Sequence, residues 1–361
     1  MSVSSDPAPS IRRWTAANKH WPKKLVGRIY DWFISSRHSS YGFAVMRIAS
    51  GSFILGWLLF NLPIALKIWG PGAAYFAPYR DVLGYKWPLN ILEGASTPFF
   101  MGWYIVAILL ALAFVVGWRT RFITPLLFIF YTAINAQNTP ISDGGNYFIR
   151  IMLIYLIFAD LSKRWSLDNW FRQRKHGAAE KRETEFGTVL HNVALCVVVA
   201  QLCIVYFEAG VYKVQGALWE NGTAVYYPLQ SEAYGVFPWL SDLLTHNSWI
   251  VTLATYGTVI VQIASPFLLF HPITRRIALV SILGMHLGIA VIMGLPFFSG
   301  IMASADAVLV SSGTWLTIQA WLSGVWRSIW TRVRPKSKTT SEPSSASEDQ
   351  AEAKVEQPSR T

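Results

Sequence analysis

Charge is what this chain has least of. Only 14% of its 361 residues are Asp, Glu, Lys or Arg, while 53% are hydrophobic. A soluble domain carries about 25% charge. The shortfall excludes an ordinary water-soluble globule and fits a polytopic membrane protein, in which lipid-facing surface replaces charged surface. Cysteine is nearly absent, with Cys196 and Cys203 the two in the chain. They fall in one apolar run and would stand about 10 Å apart along a helix, beyond disulfide reach. A disulfide framework is excluded, both read as packing residues, and the redox compartment is not legible from them. Acidic residues number 20 against 31 Lys and Arg, a net charge of +11. This excess does not point to nucleic acid, because the basic residues stand in short clusters between apolar runs, as cytoplasmic loops do.

The signatures of several enzyme classes are missing too. There is no Cys/His metal set, no phosphate-cradling glycine loop and no serine nucleophile elbow. No internal repeat is visible, which counts against a small-solute transporter built from paired broken helices. The first forty residues are polar and carry no cleavable signal, so the first span is expected to serve as its own targeting signal. Asn221-Gly-Thr223 matches a glycosylation sequon, which carries no meaning without a host.

What the chain does have is a series of apolar runs. They fall at about 43–63, 99–116, 122–138, 146–160, 188–212, 249–270, 277–293 and 297–310, and a bilayer span needs about 20 residues of helix. The expectation is an all-α, polytopic integral membrane helix bundle of about eight transmembrane helices. Four regions follow: a basic, Trp-rich segment at 1–41, a transmembrane domain at 42–312, a basic juxtamembrane stretch at 313–338, and a Ser/Glu/Pro/Ala tail at 339–361 expected to be disordered. Segment 1–41 reads either as lying on an anionic membrane face or as a loose arm that fixes topology. With both termini cytoplasmic, the inside segments hold nearly all the Lys and Arg. The outside segments hold only Lys67, Arg80, Lys86 and Lys213. Every loop then satisfies the positive-inside rule, which places the chain in the cell membrane with the lipid bilayer as its first partner. Arg47, near the inner end of the first span, can snorkel to water.

Orientation gives depth to the polar side chains. Asn135, Gln137 and Asn138 end the third span outside, and Asn146, Tyr147 and Arg150 begin the fourth. Glu208 and Lys213 end the fifth, His286 lies past the middle of the seventh, and Gln262 and Asp306 fall near mid-membrane. Ionisable groups at such depth cost about 2.5–3.5 kcal/mol on insertion scales and by default mark function. Glu208 and Lys213, five residues apart, lie about 140° apart round a helix and do not form an i,i+4 pair, so Glu208 is expected to pair with Arg150. Ala209 and Gly210 beneath Lys213 leave room for a partner helix or a ligand. An ammonium is disfavoured in such poorly hydrated surroundings, which suits Lys213 to act as a base. The blander readings stand beside this one: Lys213 snorkelling to the surface, and His286 as a hydrogen-bonded core histidine.

Ala209-Gly-Val-Tyr-Lys-Val214, followed by Trp219-Glu-Asn-Gly222, resembles the Ala-Gly-Val-Lys-Lys-Leu … Trp-Val-Glu-Gly segment of the vitamin K-dependent γ-glutamyl carboxylase. Phe158-Ala-Asp-Leu-Ser-Lys-Arg-Trp-Ser-Leu-Asp168 is similar to its segment ending Trp-Ser-Val-Asp. Met285-His286, followed by Gly294-Leu-Pro-Phe297, is similar to its later His … Gly-Met-Phe-Pro segment. The resemblance covers about residues 40–311, and the membrane domain of that enzyme defines the HTTM (horizontally transferred transmembrane) family. It implies that Lys213 matches the lysine taken to deprotonate the vitamin K hydroquinone, in a reaction that adds CO2 to a glutamyl side chain. It also implies that His286 matches a functional histidine, and it places Asn146, Tyr147, Glu208, Arg150 and Trp219 as candidates to position a reduced, menaquinone- or vitamin K-like quinone. There are two departures. Lys163 stands where the carboxylase has histidine, and a counterpart of its large lumenal region is missing. Small bacterial members of the family resemble sporulation-delaying-protein B-type factors, which implies an alternative role in maturing or exporting a secreted peptide with a small partner protein.

Overall fold

Residues 21–73, 84–176, 183–234 and 236–333 are described by the structure, a computed structural model. Among them there is no strand, and eleven helices reach ten residues or more: α1 Trp21–Ser35, α2 Ser40–Asn61, α3 Thr97–Val116, α4 Thr120–Ala136, α5 Gly144–Leu156, α6 Leu167–His176, α7 Glu185–Val214, α8 Ser248–Leu268, α9 Pro272–Ile292, α10 Pro296–Asp306 and α11 Ser312–Val333. The chain divides into two compact units, Met1–Trp315 and Leu316–Thr361. The described part of the second is helical and carries Leu316, Trp321, Leu322 and Trp326 on its exposed surface. The tail at 339–361 and residues 1–20 lie outside the described residues.

Among the described residues, five helices are long and apolar enough to cross a bilayer: Ser40–Ile68, Thr97–Val116, Glu185–Val214, Ser248–Leu268 and Pro272–Ile292. The third, fourth and eighth expected spans are helical, but α4, α5 and α10 have only 17, 13 and 11 residues. The difference has a local cause. The fourth apolar run continues past the end of α5 into the turn at 157–166, where side chains bond the backbone: Asp160 accepts from the Ser162 N–H at 3.0 Å, and Ser166 Oγ donates to the Ser162 carbonyl at 2.6 Å. The outward faces are apolar, with Leu109, Leu112, Ile260, Phe267, Val280 and Leu287 all exposed. Bare to water, such a surface would be an aggregation hazard; against lipid tails it is an ordinary one.

The helix ends are set by recognisable residues. Pro98, Pro272 and Pro296 open α3, α9 and α10, where a missing N–H costs nothing. Gly117, at φ 72°, ends α3. Asp143 caps α5 by accepting from the Asn146 N–H at 2.8 Å, and Thr184 caps α7. Asp168 reaches from α6 to the start of α4, accepting from the backbone N–H groups of Arg119 at 2.8 Å and Thr120 at 3.3 Å. A carboxylate is favoured at that positive helix end.

One expectation is corrected where α2 meets the turn after α5. Arg47 does not snorkel. It is fully buried, and its guanidinium donates to the carbonyls of Leu161 and Trp165, so it ties α2 to the turn after α5. The basic N-terminal segment is a helix from Trp21 onward. Asn192 of α7 holds its end, its amide N–H groups reaching the carbonyls of Trp32, Phe33 and Ser36 while its oxygen accepts from His38 N–H at 3.0 Å. Likewise, most of the stretch expected as a juxtamembrane segment at 313–338 is the helix α11.

Candidate functional site

The long helix α7 carries one buried stripe: Thr188, His191, Asn192, Leu195, Val198, Leu202, Tyr206 and Gly210. Lys213 continues it. At 100° per residue, Tyr206 and Lys213 lie on nearly the same side, two turns and about 10 Å apart. Lys213 is half-buried, its Nζ donates to the carbonyl of Ala209 at 3.3 Å, and it stands 5.3 Å from the centre of the Trp219 ring. Among the described residues no carboxylate forms an ion pair with it. The amine is thus kept at the end of an apolar stripe, against a flat ring, with its charge unmatched.

Gly210 brings α8 onto this stripe. A Cβ there would stand 2.6 Å from Ile263 Cγ1 and 3.2 Å from Gln262 Cβ, so the room expected beneath Lys213 is taken by a partner helix. Gln262 is buried and its Nε2 points to the sulfur of Met285 at 3.7 Å. The next residue along α9 is His286, 3% exposed. Its Nε2 lies 3.3 Å from the Tyr206 hydroxyl, which in turn donates to Oδ2 of Asp306 at 3.0 Å. Asp306 ends α10 and is 1% exposed. Three helices therefore converge on one phenol. His286 Nδ1, Asp306 Oδ1, Gln262 Oε1 and Ser299 Oγ are buried without a hydrogen-bond partner. Such orphans are uncommon in folded proteins and call for a reason.

The α5 candidates form a second cluster. Tyr131 donates to Asn146 Oδ1, while Asn146 Nδ2 donates to Asp143 at 3.1 Å. Arg150 is buried. It donates to the Asn146 carbonyl at 3.2 Å and to Tyr85 Oη at 3.4 Å, with its guanidinium 4.5 Å from the Tyr147 ring. Phe298 stands between the two clusters. A Cβ on Gly145 would meet its backbone at 3.0 Å, and its ring is 6.0 Å from that of His286.

The structure thus brings Lys213 and Trp219 together at one end of the stripe, sets His286 two turns deeper beside Tyr206, and gathers Asn146, Tyr147 and Arg150 on α5. Glu208 is not brought to either group. It is exposed on the side of α7 away from the buried stripe, and the expected pair with Arg150 is not among the ion pairs of the described residues. Lys163, at the position where the resemblance has histidine, pairs with Glu183 at 2.6 Å. Sequence reading missed Tyr206 as the centre of the deep cluster. The available signal was its seven-residue spacing from Lys213 together with a carboxylate, Asp306, inside an apolar run.

Residues 43–315 match the HTTM domain. The chain belongs to the HTTM domain family. Two relatives come from Bacillus subtilis strain 168. YitO, an uncharacterized protein, is 32% identical over 208 residues, covering 56% of this chain and 63% of YitO. The sporulation-delaying protein SdpB is 24% identical over 232 residues, covering 63% of this chain and 69% of SdpB. The match to YitO thus spans less than two thirds of that protein's length. No solved structure matches. Both clusters lie within the HTTM domain, and its apolar helices make this a membrane protein.

Proposed function

We propose that this HTTM-domain protein performs carboxylase-like chemistry on a reduced quinone, at a site opening to the non-cytoplasmic face, with Lys213 as the base. The unmatched amine of Lys213 beside the Trp219 ring carries this reading. A hydroquinone fits that environment, since it presents a flat ring to an indole and a hydroxyl proton to an amine. When bound, such a menaquinol- or vitamin K-like group supplies a weakly acidic hydroxyl and two reducing electrons. Lys213 takes a proton at Nζ. Trp219 orients by ring contact. Holding the amine away from carboxylates keeps it a competent acceptor, since an adjacent anion would favour the ammonium.

The finer topology belongs to the same proposal: eight spans in the cell membrane with both termini cytoplasmic, α4, α5 and α10 completing the set. The distribution of Lys and Arg supports it.

The test is oxygen-dependent consumption of menaquinol by the purified protein in lipid vesicles. Lys213→Met keeps the apolar stem and deletes the amine. It should lower the rate by at least about 100-fold, the usual worth of a general base, with unchanged accumulation in membranes. Full activity in that variant, or no activity in the wild type above empty vesicles, defeats the reading. The likeness to SdpB favours a second one, an accessory factor for maturing or exporting a secreted peptide with a small partner protein. Under it, peptide output survives Lys213→Met.

A further inference from the structure

Asp306 is an acid enclosed within a membrane domain, with no cation paired to it among the described residues. The charged and titratable groups on the elements packed around it have other surroundings. Arg47 of α2 is spent on the carbonyls of Leu161 and Trp165, Arg150 of α5 on Asn146 and Tyr85, and His191 of α7 on Asp160 N–H and the His38 carbonyl. Lys213 is bonded to Ala209, and Glu185 and Glu208 of α7 with Arg275 and Arg276 of α9 form no ion pair with it. The one titratable partner left is His286, reached through the Tyr206 hydroxyl.

An isolated charge in so dry a place is costly. Neutrality can be met in two ways, as carboxylic acid with neutral imidazole or as carboxylate with imidazolium. The two forms differ only in where one proton sits, and the phenol stands between its two seats. Each end of the chain also has a buried atom without a hydrogen-bond partner, Nδ1 on His286 and Oδ1 on Asp306.

We propose that His286, Tyr206 and Asp306 form an intramembrane proton relay. A proton arriving at His286 Nδ1 lets Nε2–H pass its own proton to the Tyr206 oxygen, while the Tyr206 O–H proton passes to Asp306 Oδ2. The phenol is regenerated, one proton has entered and one is held by the carboxyl, and no electron moves. Release of the proton from Asp306 leaves the carboxylate and the intact phenol, and a change of imidazole tautomer, in which Nδ1 gives up its hydrogen and Nε2 regains one, resets the chain. The relay is independent of whether a quinone binds near Lys213.

The experiment is infrared difference spectroscopy of the full chain in lipid nanodiscs as pH is changed, in H2O and D2O. The wild type should show a carboxylic acid C=O band that Asp306→Asn removes. Its midpoint should move by about one pH unit or more, the coupling at which two sites titrate together, in both His286→Gln and Tyr206→Phe. If Asp306→Asn does not accumulate, the frequency change in Asp306→Glu assigns the band. Absence of an Asp306 band at every pH, or a midpoint unmoved in either variant, overturns the relay. Because the readout needs no turnover, its failure is distinct from failure of the quinone reading.

Discussion

Gly210 and Ile263 are pressed together where α7 meets α8. A Cβ on the glycine would fall 2.6 Å from Ile263 Cγ1 and 3.0 Å from its backbone nitrogen. Gly210→Leu should therefore force the helices apart, at about 1–3 kcal/mol for an overpacked contact. A thermal shift assay in detergent should show a lowered midpoint, with Gly210→Ala lying between wild type and Leu. An unchanged midpoint for Leu would mean that the two helices are not in this contact.

Arg47 gives a second prediction. Its guanidinium satisfies the Leu161 and Trp165 carbonyls from a fully buried position. Arg47→Met fills similar space but leaves both acceptors bare, so a loss of about 3 kcal/mol is expected, on the scale of a hydrogen bond to a charged group. Urea titration in mixed micelles measures it. A side chain that snorkelled to water would give almost no change.

A pH dependence follows from Asp160, which lies past the end of α5. Burial works against its charge. The guanidinium of Arg37 and the backbone N–H and hydroxyl of Ser162, both at 3.0 Å, outweigh that and hold its carboxyl below the usual range. A depressed carboxylate stabilises the fold above its unfolded value, near about 3.9, and that contribution is lost as pH falls through the lower folded value. Asp160→Asn should thus be destabilised relative to wild type at pH 7, with the gap closing below about pH 4. A gap constant over this range would show that the carboxylate's charge contributes nothing.

Orientation is checked chemically. In a background with Cys196 and Cys203 replaced by alanine, Glu232→Cys should react in intact cells with a membrane-impermeant maleimide. Arg174→Cys should react only after lysis. Both wild-type positions are exposed, so access is set by the side of the membrane, and the reverse pattern would invert the topology.

Much of the helical scaffold was legible because lipid and backbone leave few choices. Each long apolar run that began after Pro or a polar cap became a helix, as at Thr97–Val116 and Pro272–Ile292. Lys213 and His286 were legible as ionisable groups in apolar surroundings. Short spans were less so, because hydropathy does not distinguish a helix of 13 residues from the buried turn that follows it. Arg47 misled for a similar reason. A cation near a span end reads as surface-seeking unless one knows that two carbonyls await it inside.

Composition and the order of apolar and basic segments determined by themselves that this chain is a helical membrane protein, since those properties depend only on local hydrophobicity and on one backbone satisfying its own hydrogen bonds. Which polar groups meet was decided by tertiary structure. Tyr206, His286 and Asp306 are far apart along the chain and come within hydrogen-bond reach only because α7, α9 and α10 cross at one phenol. Glu208 is exposed whereas Arg150 is buried, so the two do not meet. Helix rotation and close packing at Gly210 set those meetings, and neither is encoded in hydropathy.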